Sequence, residues 1–370
     1  MKTKKLLFVR YKINDGIAEG GVVNSQTNLN AMRSVLGQNA IDEYAIHDNS
    51  NRKPVVDRLK GVFLFFRGMY YGITPQKLAE IHSVSQNYDI IFIDRSIFGI
   101  IAKYLKKNDY KGKIITFFHN FEPIYFKDKI SVFNPLKSII IKCAKKNELW
   151  TCQYSDIVIA LNQRDNQLIQ QHYNRSADAL IPVSFADKYT SSDFQKQRLF
   201  ENPPLCLFFG TNFPANTDGL LWFIKEVFPH VNIRLQIVGK GMEKIKSQLP
   251  NDSRIELYGT VPDLKEFLEN SDIVISPIFK GSGMKVKTCE AMMYGKTIIG
   301  TNEAFEGYNV DFEKVGALAN TKEEFIEAIK KYSSDNHLKY NAYSRDFFLE
   351  NHSEEGTKKK FEKIFLKRTF

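Results

Sequence analysis

Residues 279–300, FKGSGMKVKTCEAMMYGKTIIG, join a glycine-rich turn to a helical pattern that Gly295 closes. Gly281 and Gly283 have no side chain, so a ligand can approach this backbone closely. A helix that begins near Met284 directs free N–H groups and a partial positive charge toward such a ligand. The sequence therefore predicts an anion-binding turn, and a diphosphate fits it.

Three charged side chains follow the turn. Lys285 and Lys287 fall in the predicted first helical turn, where the helix dipole disfavours cations, so that a bound anion would compensate them. Glu290 lies among apolar residues, and its carboxylate can accept two hydroxyl groups of a ribose. The ordinary alternative is a pair of solvated lysines and a glutamate that caps a neighbouring loop.

A histidine forms a second candidate site. His119 follows the apolar run KIITFF and begins the set H-N-F-E. Ligands of open parallel sheets bind beyond the carboxyl ends of the strands, so we expect His119 in that position. A histidine there can hydrogen-bond a sugar or move a proton, although it could also satisfy loop carbonyl groups. Glu122, three residues later, could act as a base or hold the loop.

The elements that must position these residues follow from the apolar pattern. Short apolar runs alternate with amphipathic segments, which is typical of parallel sheets covered on both faces. Helical patterns cover 26–36, 97–107, 218–228, 262–270 and 321–332. The strand-like runs are 5–9, 90–94, 113–118, 156–161, 179–183, 205–210, 234–239, 254–259, 272–277 and 296–300. The predicted fold class is α/β, with two Rossmann-like domains facing a central cleft.

The domain boundary is predicted at a polar stretch. A chain of 370 residues exceeds one ordinary core and suits two domains. The polar residues before Pro203-Pro204 are typical of a linker. We therefore predict an N-terminal domain over 1–185, a linker over 186–204, a second domain over 205–340 and a basic C-terminal segment over 341–370.

Glycine-rich loops follow most of the predicted strands, where a nucleotide-bearing ligand would bind. The first run is followed by GIAEGGVVNSQ and the run 205–209 by GTNFPANTDG. GKG, GTVPD and FKGSG follow later runs. The residues of these loops that we single out are Gly20, Gly21, Gly210, Lys240, Thr260 and Val261.

The net charge of +10 comes from two segments. Residues 127–146 hold six Lys and one Asp, and residues 357–370 hold six basic residues and one Glu. Both interleave lysine with apolar residues, so they are either solvated helix faces or surfaces that dock on an anionic membrane. Nucleic acid is disfavoured because no recognised binding motif accompanies the charge.

Targeting signals and metal motifs are not expected. The first apolar run is too short for a signal peptide, and no apolar run is long enough to span a membrane. The four cysteines have no C-x-x-C spacing, which favours reduced thiols in a cytoplasmic protein. No D-x-D and no zinc-spaced His/Cys cluster occurs, so we predict no metal and no cofactor.

The segment DIVISPIFKGSGMKVKTCEAMMYGKTIIGT resembles the nucleotide-sugar site of retaining glycosyltransferases of the GT-B architecture, glycosyltransferase family four (group 1 glycosyltransferases), in a G-S-G-M-K-x-K…E-A-M variant. The usual pattern is E-x7-E followed by A-M-x-x-G-x-P. Glu290 matches the second Glu, Ser282 stands in place of the first, and Thr297 replaces the usual proline. FFGTNFPANTDGLLWFI, LQIVGKG, YGTVPDLKEFLENSDI and KIITFFHNFEPIYF are similar to further family segments, so the resemblance covers most of the chain.

The resemblance implies a role for each matched position. Glu290 would bind the donor ribose, and His119 would reach the transferred sugar or the acceptor hydroxyl. Lys285 and Lys240 would neutralise the leaving group, because residues 210–219 lack the Arg or Lys usual in the family. Main-chain and turn contacts to the base, sugar and diphosphate would come from Gly20, Gly21, Gly210, Thr260, Val261, Gly281, Ser282, Gly283 and Met284. The C-terminal helix would cross back to the first domain.

The implied function is a metal-independent, retaining, hexosyl-type glycosyltransferase. It would use a UDP- or GDP-sugar to extend a lipid-linked surface glycan, such as a capsule or lipopolysaccharide O-antigen, at the inner face of the cell membrane. The alternatives are a non-catalytic sugar-binding partner of another transferase, which Ser282 motivates, or a nucleotide-sugar epimerase or hydrolase. A basic surface-binding protein with an unused cleft is a third alternative.

Overall fold

The computed structural model describes residues 4–12, 20–47, 63–70, 72–131, 133–190, 197–281, 284–334 and 337–366. The chain divides into two compact units. The first unit comprises Met1–Phe185 with Thr357–Phe370, and the second comprises Ala186–Gly356. Of the predicted linker, residues 191–196 lie outside the described residues.

The first unit contains a parallel sheet of six strands in the order β2-β1-β3-β4-β5-β6. The strands are β1 (Leu6–Tyr11), β2 (Ile41–Ile46), β3 (Ile90–Ile93), β4 (Lys113–Phe118), β5 (Ile157–Ala160) and β6 (Ala179–Leu180). Its α-helices before the second unit are α1 (Gly20–Leu36), α2 (Pro75–Ser85), α3 (Gly99–Lys107), α4 (Glu122–Lys129), α5 (Lys137–Tyr154) and α6 (Gln163–Tyr173). The strand order switches direction at β1, where β2 and β3 lie on opposite sides.

The second unit also contains a parallel sheet of six strands, in the order β12-β11-β10-β7-β8-β9. The strands are β7 (Leu205–Phe209), β8 (Arg234–Val238), β9 (Ile255–Gly259), β10 (Ile273–Ser276), β11 (Thr297–Gly300) and β12 (Gly316–Leu318). The helices are α7 (Pro214–Glu226), α8 (Lys265–Asn270), α9 (Val286–Met293), α10 (Phe312–Val315), α11 (Lys322–Ser334) and α12 (Ala342–Asn351). This is the Rossmann order, with its switch point between β7 and β10.

Continuous apolar runs in the sequence correspond to central strands of the two sheets. Every residue of β3, β7, β10 and β11 is buried, as expected for strands with helices on both faces. Each of the ten predicted runs overlaps a strand, and the two parallel sheets with their helices confirm the predicted α/β class. None of the described helices is long and apolar enough to cross a bilayer.

The C-terminal segment forms two helices rather than one. Helix α12 belongs to the second unit, where the Arg345 guanidinium pairs with Asp187 at 2.5 Å and donates to the Met293 carbonyl. The chain turns at His352, and α13 (Glu354–Leu366) follows. From Thr357 onward it belongs to the first unit, as predicted for a helix that packs back on that domain.

Helix α13 is held by its apolar face, and this gives a stability prediction. The Phe361 side chain is fully buried, and its ring centroid lies 6.1 Å from that of Phe92 in β3. We expect Phe361→Ala to lower the free energy of unfolding by about 3–5 kcal/mol, because it leaves a cavity in the core. Chemical denaturation measures this change. Lys359→Ala, at an exposed position on the same helix, is the control, and equal stability of the two variants would contradict this placement.

Candidate functional site

The loops that follow β7, β8 and β9 form a connected rim. The Gly210 amide donates to the Val238 carbonyl at 3.0 Å, and the Gly239 amide donates to the Gly259 carbonyl at 2.7 Å. A Cβ atom at Gly239 would lie 1.9 Å from the Gly210 carbonyl oxygen, so only glycine permits this approach. The backbone of the rim is therefore fixed before any ligand binds.

A pocket of about 410 Å³ opens inside this rim, at the carboxyl ends of the strands and beside the switch point of the second sheet. Its volume falls within the range of small-molecule sites. The lining residues are Phe209, Gly210, Thr211, Asn216, Gly239, Lys240, Thr260, Val261, Leu264, Met284, Lys285, Val286, Lys287 and Glu290. The structure thus brings together seven of the predicted site residues: Gly210, Lys240, Thr260, Val261, Met284, Lys285 and Glu290.

Helix α9 forms one wall of the pocket. It begins at Val286, two residues later than predicted, because Lys285 has an extended backbone with φ −85° and ψ 108°. It ends as predicted, since Gly295 adopts the left-handed conformation at φ +58° and its amide donates to the Met292 carbonyl. Of the predicted turn, Gly281 is described but does not line the pocket, and Ser282 and Gly283 lie outside the described residues.

The Glu290 carboxylate faces this pocket. Within the described part of the chain, no hydrogen bond or ion pair engages it, although Lys188 and Lys287 act on its charge. Burial raises the pKa of the Glu290 carboxyl, and the two lysines oppose that effect. A half-buried carboxylate with both oxygens available is suited to accept hydroxyl groups from a ligand.

Lys285 lines the pocket with its charge already compensated. Its ammonium group pairs with the Glu303 carboxylate at 2.5 Å. The Tyr308 hydroxyl donates to the Lys285 carbonyl at 2.8 Å, which fixes the backbone at the start of α9. The sequence gives no sign of the Glu303 contact, because this carboxylate comes from a turn beyond β11.

Lys287 is the second lysine of the stretch, and sequence reasoning gave it no separate role. Its ammonium group donates to Asn216 Oδ1 at 2.7 Å and lies 4.8 Å from the centre of the Phe208 ring. Burial lowers the pKa of Lys287 to about 7. The sequence did contain one signal for Lys287, which is its spacing of three residues from Glu290. Residues at this spacing on a helix share one face.

The first unit holds the predicted His119 just beyond β4. His119 Nε2 lies 3.1 Å from Asp94 Oδ1, and both side chains are only 3% exposed. The Ser25 hydroxyl on α1 donates to Asp94 Oδ2 at 2.6 Å. Asp94 ends a predicted strand run, but nothing in the sequence pairs it with His119. Gly20 and Gly21 begin α1, and residues 13–19 before them lie outside the described residues.

A second buried carboxylate, that of Glu148, fixes the H-N-F-E loop at residues 119–122. The Glu122 amide donates to Glu148 Oε1 at 2.9 Å, and the Tyr173 hydroxyl donates to Glu148 Oε2 at 2.9 Å. Burial raises the pKa of Glu148 well above its usual value. Glu148 therefore fixes the backbone that follows His119.

No grouping of three or more His, Cys, Asp or Glu side chains within the described ranges could hold a metal ion.

The comparison with family models concerns the second unit. Residues 203–335 match the model described as glycosyl transferases group 1. The match spans the strands and loops that build the pocket, together with α9. Residues 203–335 are thus similar to group 1 glycosyl transferases.

Three further proteins are similar to this chain over most of its length. An uncharacterised 44.6 kDa protein in the cps region of Klebsiella pneumoniae is 26% identical, over 78% of this chain and 76% of that protein. HepE of Anabaena, crystallised with UDP, superimposes with a TM-score of 0.66 at 13% identity, over 98% of this chain and 99% of its own. A glycosyltransferase of Rickettsia africae gives a TM-score of 0.63 at 16% identity, over the full length of both chains. These structures confirm the predicted two-domain GT-B fold class.

Proposed function

We propose that this protein is a glycosyltransferase that moves a sugar from a UDP- or GDP-sugar to a growing surface glycan. The observation that carries the proposal is the pocket of the second unit, which combines a glycine-rich rim, a Glu290 carboxylate that makes no hydrogen bond or ion pair with the described residues, and the half-buried lysines Lys285 and Lys287. The group 1 match over the same residues supports it. HepE has also been crystallised with UDP-glucose, which favours a uridine donor.

Each part of the donor has a partner in this proposal. Glu290 accepts the ribose hydroxyls, and the main chain at Thr260 and Val261 flanks the base. The glycine-rich rim and the pocket lysines stabilise the departing diphosphate, which is where negative charge develops. Transfer proceeds with retention by same-face attack, and the leaving phosphate helps to deprotonate the acceptor. Fixed N–H groups and lysines then stabilise the departing diphosphate in place of a metal ion.

Nucleotide binding without metal is the first test. We expect UDP or GDP, in EDTA, to raise the midpoint of thermal unfolding, because a ligand at 100 times its Kd stabilises the folded state by about 2.7 kcal/mol. Uridine and inorganic phosphate, each lacking half of the ligand, serve as controls. A response only with added magnesium would contradict metal independence. No response to any nucleoside diphosphate would contradict the proposed donor site. It would favour the alternative of a non-catalytic partner of another transferase.

We further propose that the acceptor is lipid-linked and presented at the inner face of the cell membrane. The Klebsiella relative from a cps region supports surface-polysaccharide assembly. The support within this chain is an aromatic-basic surface of the first unit, formed by segments 63–70, α4 and α5, which pack together, and by Phe133 between the two helices. Its exposed members are Phe63, Phe66, Phe133, Lys142, Lys145 and Lys146.

The aromatic side chains of this surface are exposed, which distinguishes it from α13 in the basic segment 357–370. Phe63, Phe66 and Phe133 are 62%, 61% and 92% exposed. In α13, by contrast, Phe361 and Phe365 are buried in the first unit, so these two side chains are not available to insert into a membrane. The membrane proposal therefore rests on the aromatic-basic surface alone.

Vesicle binding tests this surface. We expect the wild-type protein to cosediment with vesicles that contain anionic phospholipid and not with neutral ones. Replacing Lys142, Lys145 and Lys146 with Gln should weaken binding by about 100-fold, at about 1 kcal/mol per lysine. Changing the three phenylalanines to Ser should have a similar effect, whereas Phe213→Ser on the second unit should not. Unchanged binding of both triple variants would refute the membrane site.

A further inference from the structure

Lys287 is a half-buried lysine, and within the described residues no carboxylate forms an ion pair with it. Its ammonium group meets the neutral Asn216 oxygen at 2.7 Å and the face of the Phe208 ring at 4.8 Å. A Cβ atom at Gly210 would lie 2.8 Å from Lys287 Nζ, so the missing side chain at Gly210 leaves room for this group. The amine is therefore held at the pocket wall, at the carboxyl end of β7.

Lys285 offers a direct comparison. Both lysines line the pocket, but Lys285 is paired with Glu303 at 2.5 Å. An anion that enters the pocket gains less from a lysine that already has a carboxylate partner than from one that has none. Of these two lysines, Lys287 is therefore the one from which a bound anion gains more.

The charge state of Lys287 depends on few groups. Burial and, to a smaller extent, Lys285 disfavour its protonated form, and Glu290, one turn along α9, favours it. The elements packed against Lys287, α7 and β7, present Asn216, Phe208 and Gly210, none of which titrates. The pKa of about 7 means that the empty pocket holds a mostly neutral amine at pH 8.

We propose that Lys287 is the cation that receives the diphosphate of the donor, and that its amine takes up one proton from solvent when the donor binds. A phosphate group beside the amine favours the ammonium form, so binding and protonation assist each other. Donor affinity then falls as the pH rises above 7, and Asn216 keeps the amine oriented in the empty state. This inference rests on the proposed function, because it requires a nucleoside diphosphate in this pocket.

Isothermal titration of UDP, with GDP in parallel, tests the proposal in buffers of different ionisation enthalpy. The wild-type protein should take up close to one proton per bound UDP at pH 8 and close to none at pH 6. Lys287→Met should lose this uptake and bind UDP at least tenfold more weakly at pH 6. Lys287→Arg should bind UDP without uptake at either pH, because a guanidinium stays protonated.

Control variants separate this proposal from the proposed function. Lys225→Met, at an exposed position of the second unit, should retain the proton uptake. UDP binding by the wild type without proton uptake, or uptake that persists in Lys287→Arg, would overturn the assignment to Lys287 while leaving the donor site in place. Failure of the wild type to bind any nucleoside diphosphate would instead defeat the proposed function.

Discussion

Glu290→Gln should reduce kcat/KM by about 10²- to 10⁴-fold. A hydrogen bond to a charged group contributes about 1.5–3 kcal/mol, and a ribose offers two hydroxyls to this carboxylate. The amide of Gln keeps the size of the side chain but can accept at only one atom and carries no charge. Most of the loss should appear as weaker donor binding, because the ribose is held in the ground state and the transition state alike.

The same substitution should not destabilise the protein. Burial raises the folded-state pKa of Glu290 above its unfolded value, so the stability linked to this group is present at low pH and is lost as the pH rises through the folded pKa. Gln does not titrate. Relative to wild type, the variant should therefore become more stable as the pH rises from about 4 to 7.

Glu323→Gln, at an exposed position on α11, is the matched control and should leave both activity and the thermal midpoint unchanged. Normal UDP affinity and turnover in Glu290→Gln would remove Glu290 from the donor site. A large fall in the thermal midpoint of the variant would indicate a structural role for this carboxylate instead.

The strands that the sequence predicted are the eight central strands of the two sheets, together with the partly buried edge strands β6 and β9. Two of the described strands, β2 and β12, were missed, and each also lies at an edge of its sheet. In β2, IDEYAI, only the first and last residues are buried, so no continuous apolar run marks it. Strand β12 has three residues and begins at a glycine. Edge strands pair on one side only and tolerate polar residues, so their sequences resemble loops.

The pocket wall on α9 was predictable because its residues are contiguous in sequence. A turn, a helix and their charges occur together between Phe279 and Gly300, and the structure places Lys285 and Glu290 at one pocket. The distinction between Lys285 and Lys287 was not predictable. It depends on Glu303 and Asn216, which approach from separate elements, and spacing along the chain carries no information about such contacts.

The contact between Asp94 and His119 was likewise not predictable from spacing along the chain. It bears on the second substitution for which we expect a large effect. We expect His119→Ala to lower kcat by about 10²- to 10⁴-fold, the range for a side chain that transfers a proton. Its Nε2 atom faces Asp94 Oδ1 at 3.1 Å. A carboxylate at that distance can accept a hydrogen bond from an Nε2–H group and so fix the orientation of the ring. We therefore expect Asp94 to act through His119, as a positioning residue.

Asp94→Asn keeps the shape of the side chain and removes its charge. We expect kcat to fall by about 10-fold or more with KM nearly unchanged, because an imidazolium that forms during turnover loses its buried counter-charge. A role limited to holding the loop would leave this near-isosteric variant as active as the wild type. Ser25→Ala removes only the donor to Asp94 Oδ2 and should have a smaller effect.

The double variant distinguishes a shared role from two separate ones. If Asp94 acts only through His119, then His119→Ala with Asp94→Asn should be no slower than His119→Ala alone, since residues that act as a unit are not additive. Full additivity of the two losses in kcat would contradict the pairing. The circular dichroism spectrum and thermal midpoint of each variant must match the wild type for the kinetic comparison to hold, because both side chains are buried in the first unit.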